Sequence, residues 1–346
     1  MYGLLEVGSF SGDATCVIGA FRGNRGRIQR TSLAHFSGAI NTRHRHRRRR
    51  SPGSLRGVPR HHADLIAHHL ASKAEATLAT ISVPDEEKSR FGICQVAEDQ
   101  RITSFVEKPK EPVPGLGSMG IYVFNYDALD RVLLEDRDIA TSSHDFGKDI
   151  LPRMIGRGER VYSWLYKGYW RDVGTLDSYW DAHMDLVSDP PAYDLNDLGW
   201  LIHTRSENRS PARFAKGARV EDSLITHGCT ILGNAVVERS ILSPGVRVGP
   251  NATIRDSVVL TDCRIDEGAT IERAILDART RVGAGARIGA AGEALTVTGK
   301  GSLVPPQYTI GSGVVIGADV TTDDYPGNAI SSGETVYTKR RPHEIR

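Results

Sequence analysis

The chain has 346 residues, 39% of them hydrophobic, which is room for two or three domains with real cores. No apolar run reaches the 18 or so residues of a membrane span, and Met1 to Gly19 lacks the basic start of a secretory signal. The net charge of +2 hides a division: residues 1–60 hold twelve Arg, no Lys and two acids (Glu6, Asp13), while the remaining residues are net acidic.

Residues 1–60 show no sustained hydrophobic period after about Ala20 and are expected to be a disordered basic segment. The run Arg43-His44-Arg45-His46-Arg47-Arg48-Arg49-Arg50 could serve a nucleic-acid or localisation tail, or simply repel itself. Cys16, Cys94, Cys229 and Cys263 are too widely spaced for a disulfide framework or a zinc site, so reduced thiols in a cytoplasmic protein are expected.

From His61 to Lys73 the pattern predicts a helix, with Leu65, Ile66 and Leu70 on one side and His61, His62, His68 and His69 on the surface. Ala74–Val83 reads as a buried strand. Arg90–Val96 and Arg101–Glu107 read as two strands around a turn at Glu98–Gln100. Pro109 ends the second and leaves Glu107 and Lys108 at its tip, where a carboxylate and a cation can hold a hydroxyl and a phosphate of one small ligand. Taken alone, that tripeptide also fits a surface ion pair. Ser118–Phe124 is a further strand, Tyr126–Glu135 a helix, and Ser142 or Ser143 is the expected cap of a helix running to Ile155. Val161–Tyr166 leads into Gly168-Tyr169-Trp170-Arg171-Asp172-Val173-Gly174-Thr175, where Asp172 suits either a pocket-rim ligand for a metal or sugar, or a strand-end partner of Arg171. A helix over Asp177–Leu186 closes an α/β domain expected over residues 61–191, and a linker is expected over 192–216.

From Val220 the aliphatic residues then fall on a ruler. Val220, Ile225, Ile231, Val237, Leu242, Val248, Ile254, Val259, Ile265, Ile271, Leu276, Val282 and Ile288 are spaced 5, 6, 6, repeated, so 17 residues make one unit. A small side chain precedes nearly every one by two places, and Gly or Asn stands at several turns (Gly217, Gly228, Asn234, Gly245, Asn251, Gly268, Gly285). Three short faces per unit describe a triangular prism, the hexapeptide parallel β-helix, expected over 217–322 with a tail over 323–346. Glu293 breaks the ruler, and Ile310 and Ile316 resume a six-residue step after an insertion. Because each coil needs only its neighbours, this is the part expected to be most autonomous.

The segments RFG at Arg90–Gly92, FVEKP at Phe105–Pro109, SMGIYVF at Ser118–Phe124, SSHDFGKDILP at Ser142–Pro152 and GYWRDVGTLDSYWDAHMDL at Gly168–Leu186, followed by such coils, resemble the glucose-1-phosphate adenylyltransferase family. The resemblance covers about Ala63 to the end of the coils. It implies an α/β fold, a partial nucleotidyltransferase (Rossmann-like) domain followed by a left-handed hexapeptide-repeat parallel β-helix. It further implies that Lys108 grips the phosphate of glucose 1-phosphate, that Glu107 holds sugar hydroxyls, that Gly92, Ser118, Tyr122, Asp145, Phe146 and Trp170 complete the sugar pocket, and that Asp172 binds catalytic Mg²⁺. The implied reaction joins ATP and glucose 1-phosphate to give ADP-glucose and pyrophosphate in a cytoplasmic homo-oligomer, with no membrane or nucleic-acid partner. The family's glycine-rich ATP loop, ending in Arg-Leu, and its first metal aspartate have no counterpart in residues 1–61, whose character suggests a frameshifted or misassigned start. ATP binding is therefore expected to be largely missing and the activity poor. The alternative is a non-catalytic sugar-phosphate-binding or assembly subunit. An acyltransferase is a weaker reading, since His227 is the only histidine between Val220 and Ile310.

Overall fold

The computed structural model describes residues 5–9, 15–20, 60–196 and 208–340, with side chains from residue 63 onward. The Arg43–Arg50 run, the middle of the expected linker and the last six residues lie outside them. The chain divides into two compact units, Met1–Gly168 and Tyr169–Arg346.

The first unit is α/β. Its strands are β1 (Leu5–Ser9), β2 (Thr15–Ala20), β3 (Ala76–Ile81), β4 (Gly92–Val96), β5 (Ile102–Glu107), β6 (Leu116–Phe124) and β7 (Val161–Leu165); its helices are α1 (Arg60–Ala71), α2 (Tyr126–Arg137) and α3 (Leu151–Gly156). The main path of the sheet runs β1-β2-β6-β3-β7, and β4 pairs with both β5 and β6. Only β3 and β7 pair in parallel; the other pairs are antiparallel. β1 and β2 correct the expectation that residues 1–60 carry no stable structure: they form a hairpin that joins the sheet through Gly19 opposite Tyr122 and Ala20 opposite Ile121. A near-continuous apolar run makes β3 buried along Ala76–Thr80, as a central strand packed on both faces must be.

Helix α1 corrects two expectations. Leu65, Ile66 and His69 face inward, while Leu70 is half exposed. Positions i, i+1 and i+4 share one face, and the fifth step rotates away from it. His69 is thus not a surface histidine. Its Nδ1 meets Thr77 Oγ1 at 2.8 Å and its Nε2 meets Asn125 Oδ1 at 3.1 Å, so both ring nitrogens have partners where burial demands them. Burial also pushes its imidazole below the usual histidine range.

The second unit opens with a segment leading into α4 (Leu176–Met184), which Thr175 caps by accepting from Ser178 N at 3.1 Å. This helix, expected to close the first domain, belongs with the β-helix. Trp180 Nε1 donates to the Asp256 carbonyl at 2.7 Å, and the Arg273 guanidinium sits 4.1 Å from the Trp180 ring centroid.

The coils are three parallel sheets, and the ruler is their register. One column runs Val220, Val237, Ile254, Ile271, Ile288, Ile310, Ile330. A second runs Ile225, Leu242, Val259, Leu276, Thr298, Ile316, Val336. The third runs Phe214, Ile231, Val248, Ile265, Val282, Val304. From Ile231 to Ile288 every ruler residue is buried, as are the small residues preceding them. The seven Gly and Asn turn residues named above all have positive φ. The β-helix departs from the expected bounds of 217–322 at both ends. Phe214 supplies a rung inside the expected linker, and Ala329–Ile330 and Thr335–Val336 supply two inside the expected tail.

Two polar devices knit the coils. Ser223, Ser240 and Ser257 stack at one corner, each hydroxyl donating to the carbonyl two residues earlier and accepting the backbone N–H of the coil above. After the insertion, Thr298 takes the inward place that Glu293 would have held; its hydroxyl lies 3.2 Å from Thr280 Oγ1, which donates to the Asp277 carbonyl at 2.7 Å. A buried threonine is tolerable only because that partner is present.

Candidate active site

The sugar-binding residues named from the sequence lie mostly at one end of the first unit's sheet. Register places Gly92 of β4 opposite Glu107 of β5. Lys108 follows with φ of +48°, a left-handed conformation that a lysine rarely adopts, and its N–H bonds the Phe91 carbonyl at 3.0 Å. Such strain persists where the surroundings fix the backbone, and it collects at ligand sites. Ser118 and Tyr122 on β6 share a side-chain hydrogen bond, and burial pushes the Tyr122 phenol well above its usual range. The Tyr122 ring stacks on Phe146 at 5.9 Å between centroids, and Phe124 closes on Phe146 at 5.7 Å.

The Glu107 carboxylate is enclosed by two glycines. A Cβ on Gly147 would lie 2.5 Å from Glu107 Oε2, and one on Gly92 would lie 2.7 Å from it. Both positions must be glycine for the carboxylate to sit where it does. Burial raises the Glu107 carboxyl above the usual carboxylate range, the Asp145 charge adds to the rise, and Lys108 and Lys148 oppose it. Gly147 and Lys148 were not singled out from the sequence. The signal was present in Asp145-Phe146-Gly147-Lys148, where a small residue and a cation follow two named positions.

Asp145 itself corrects the expected capping. Its Oδ1 accepts from Gly147 N and Lys148 N, both at 2.9 Å, at the start of a π-helical turn over Phe146–Ile150 that continues into α3. Ser142 and Ser143, the expected caps, instead bond Asp136 Oδ1 at 2.7 Å and Asp149 Oδ2 at 2.6 Å. Asp136 anchors the whole turn: it is buried and also holds His144 Nδ1 and Arg153 Nη2, each at 2.9 Å. Burial alone would raise its carboxyl, but hydrogen bonds from His144, Ser142 and Arg153 together hold it below the usual range. A depressed folded-state pKa adds stability that is complete above the unfolded value of about 3.9 and disappears as pH falls through the folded one. Hydrogen exchange of residues 142–150 is therefore expected to accelerate below about pH 4. Asp136→Asn should remove that acid step and loosen the turn by about 1–3 kcal/mol at neutral pH. An unchanged acid step in the variant would show that another carboxylate governs the turn.

Trp170 and Asp172 belong to the second unit and are half-buried there. Between them Arg171 reaches Asp181 at 3.0 Å and Asp185 at 2.9 Å, so its guanidinium is engaged with α4. Among the described residues no group of three or more His, Cys, Asp or Glu could hold a metal by itself.

Comparison with known proteins places the end of the first domain later than the contacts do, close to the expected residue 191. A nucleotidyl transferase family matches residues 58–189, and the GlmU-like C-terminal hexapeptide family matches residues 210–304. Glucose-1-phosphate adenylyltransferase of Thermotoga sp. (strain RQ2) is 46% identical over 80% of this chain and 68% of its own length, and that of Thermotoga maritima is 47% identical over the same shares. The chain belongs to the glucose-1-phosphate adenylyltransferase family. The member from Halalkalibacterium halodurans is 46% identical over 54% of this chain and 48% of its own length. The family assignment makes the chain a nucleotidyltransferase by descent, and the resemblance read from the motifs and coils was correct. Among the described residues no helix is long and apolar enough to cross a membrane, and Cys94, Cys229 and Cys263 are buried free thiols.

Proposed function

We propose that this chain binds glucose 1-phosphate at the Glu107–Lys108 tip and serves adenylyl transfer from ATP to it. The observation that carries the reading is the enclosed Glu107 carboxylate beside the strained Lys108, bounded by Gly92 and Gly147. The carboxylate accepts hydrogen bonds from sugar hydroxyls, and the ammonium neutralises the phosphate. Tyr122, Phe146 and Ser118 form the wall behind them, and Asp145 sets the turn that brings Gly147 against Glu107. In the reaction a phosphate oxygen of glucose 1-phosphate attacks the α-phosphorus of ATP; the α–β bridging bond breaks, and pyrophosphate leaves with its electrons. ADP-glucose remains. Positioning and charge neutralisation are the whole of the protein's task in such a transfer. Asp172 would give one carboxylate to Mg²⁺, which when bound neutralises phosphate charge. A cytoplasmic homo-oligomer completes the reading.

The second reading, a sugar-phosphate-binding or assembly subunit without turnover, draws on the lack of a family-like glycine-rich loop among Gly8, Gly12, Gly19, Gly23 and Gly26. Both readings require the sugar site, so calorimetric titration with glucose 1-phosphate tests them together. Lys108→Ala is expected to weaken binding by about 1.5–3 kcal/mol, the cost of a charged hydrogen bond. Lys108→Arg should restore it only in part, because a planar fork differs from a point ammonium. Unchanged affinity in Lys108→Ala would overturn the assignment. ADP-glucose formation with saturating ATP and Mg²⁺ then separates the two: turnover favours the enzyme, and binding without turnover favours the subunit.

A further inference from the structure

The two glycine walls around Glu107 are held in different ways. Gly92 stands in the antiparallel ladder of β4 and β5, directly opposite Glu107, so the sheet itself sets its distance. Gly147 stands on the π-helical turn after a loop, and no strand register fixes it. The margin on that side is small, because a Cβ at Gly147 would already lie 2.5 Å from Glu107 Oε2. An outward drift of the turn would admit water beside the carboxylate and free it to rotate.

Whatever holds the turn therefore bears on the carboxylate. The apolar side of the turn packs through Phe146 on Tyr122 and Phe124, and through the buried Ile150. Asp145 accepts from Gly147 N and Lys148 N, and Asp149 accepts from Ser143 Oγ at 2.6 Å and Asp145 N at 3.1 Å. Those bonds shape the turn but run within it. Asp136 ties it to another element. It stands near the end of α2, only 2% exposed, and holds Ser142 Oγ at 2.7 Å and His144 Nδ1 and Arg153 Nη2 at 2.9 Å each. Two of these partners precede Gly147 in the chain and the third follows it in α3, so one carboxylate grips the turn from both ends. His144 has φ of +58°, and its N–H donates to Ser142 Oγ at 3.0 Å. A left-handed histidine persists only where its surroundings over-determine it, and Asp136 holds both residues of that bond. Burying a carboxylate is costly unless its donors are complete. Here the donors are complete, and they converge on the segment that delivers Gly147.

We propose that Asp136 is a positioning residue for sugar recognition. Through Ser142, His144 and Arg153 it fixes the depth at which Gly147 meets Glu107, and so the direction in which the Glu107 carboxylate faces the sugar hydroxyls. This inference rests on the sugar reading of the Glu107–Lys108 tip and extends it to a residue that acts through the turn.

Two measurements on the full-length chain test it. Glucose 1-phosphate affinity, by calorimetric titration, should fall by about fivefold or more in Asp136→Asn. The ionisation of Glu107, followed by carboxyl ¹³C NMR and assigned by the resonance lost in Glu107→Gln, should shift as well. In the parent, burial and the Asp145 charge raise it against Lys108 and Lys148. Cys94 of β4 and Tyr122 of β6 also face Glu107, but burial raises both, so they stay neutral where Glu107 titrates. An outward turn takes Asp145 and Lys148 away together and lets water in. Burial is the largest of these causes, so Glu107 should titrate at lower pH in the variant than in the parent. A merely structural loss would leave the Glu107 titration of the folded chain unmoved. Ser142→Ala combined with His144→Asn removes two of the three ties, keeps Arg153 as the counter-charge and suits the left-handed φ. It should show both changes, and it decides the matter if Asp136→Asn does not fold. Parental affinity, or an unmoved Glu107 titration, in a folded variant would overturn the proposal. Lys108→Ala separates the two claims. Affinity lost there but kept in the Asp136 variant overturns the positioning role alone. Affinity kept in Lys108→Ala, or no binding by the parent, overturns the sugar reading and this inference with it.

Discussion

Ile254→Asp is expected to unfold the β-helix. Ile254 is fully buried, in the middle of a column whose neighbours are Val237 below and Ile271 above. The substitution removes the burial of a whole aliphatic side chain, about 1.5–3 kcal/mol. It also puts a carboxylate among Val, Ile and Leu with no cation to meet it, and that cost is the larger. The sum should exceed about 4 kcal/mol, in the range reserved for core failures. Ile254→Val, by contrast, should cost only about 0.5–1.5 kcal/mol. Urea unfolding of the full-length chain, followed by the β signal in circular dichroism and by protease sensitivity of the coils, measures both. Equal midpoints for the aspartate and valine variants would mean that the column is not the core it is taken to be.

Gly147→Ala should separate binding from folding. Its added methyl would meet chiefly the end of the flexible Glu107 side chain, Oε2 at 2.5 Å and Cδ at 3.0 Å, with Phe105 Cε1 farther off at 3.3 Å. Glu107 can swing away, so the fold should lose no more than about 1 kcal/mol. The carboxylate would then leave the place where it meets sugar hydroxyls, and glucose 1-phosphate affinity should fall at least tenfold. Gly92→Ala should lose stability as well, because its methyl would come within 2.3 Å of the buried Phe105 ring, and overpacking of that kind costs about 1–3 kcal/mol. If displacement of Glu107 is the cause, Glu107→Ala combined with Gly147→Ala should be no worse than Glu107→Ala alone. Full additivity of the two losses, or parental affinity in Gly147→Ala, would show that the contact does not govern binding.

The two units were unequally legible. In the β-helix, each inward residue answers to the one 17 places away, so a single spacing carries the register of every coil. The reading lost the column at the insertion, where a threonine with a hydroxyl partner replaces the aliphatic residue, and it stopped short of the rungs at Phe214, Ile330 and Val336. In the sheet, by contrast, Glu107 owes its setting to Gly147, forty positions distant, and to an antiparallel pairing with Gly92; no local period records either. The same holds for Asp145, which outcompetes two serines as a cap because Asp136 and Asp149 claim their hydroxyls. His69 and Leu70 exchange places for a simpler reason: a helical stripe is narrower than the run of apolar letters suggested. The strands at Leu5–Ser9 and Thr15–Ala20 were hidden by the basic composition of the residues that follow them.

The docking of α4 on the coils bears on how such chains can be cut and rejoined. With Trp180 bonded to the Asp256 carbonyl and covered by Arg273, the segment that bears Trp170 and Asp172 travels with the coils. A hybrid spliced at the sparse stretch near residue 200 would strand α4 on foreign coils, with an indole facing a corner that was not shaped for it. The seam that keeps each half whole lies some thirty residues earlier, between Gly168 and Tyr169. Exchange at that seam passes on the proposed metal carboxylate together with the prism, as one inheritance, and leaves the sugar tip behind with the sheet.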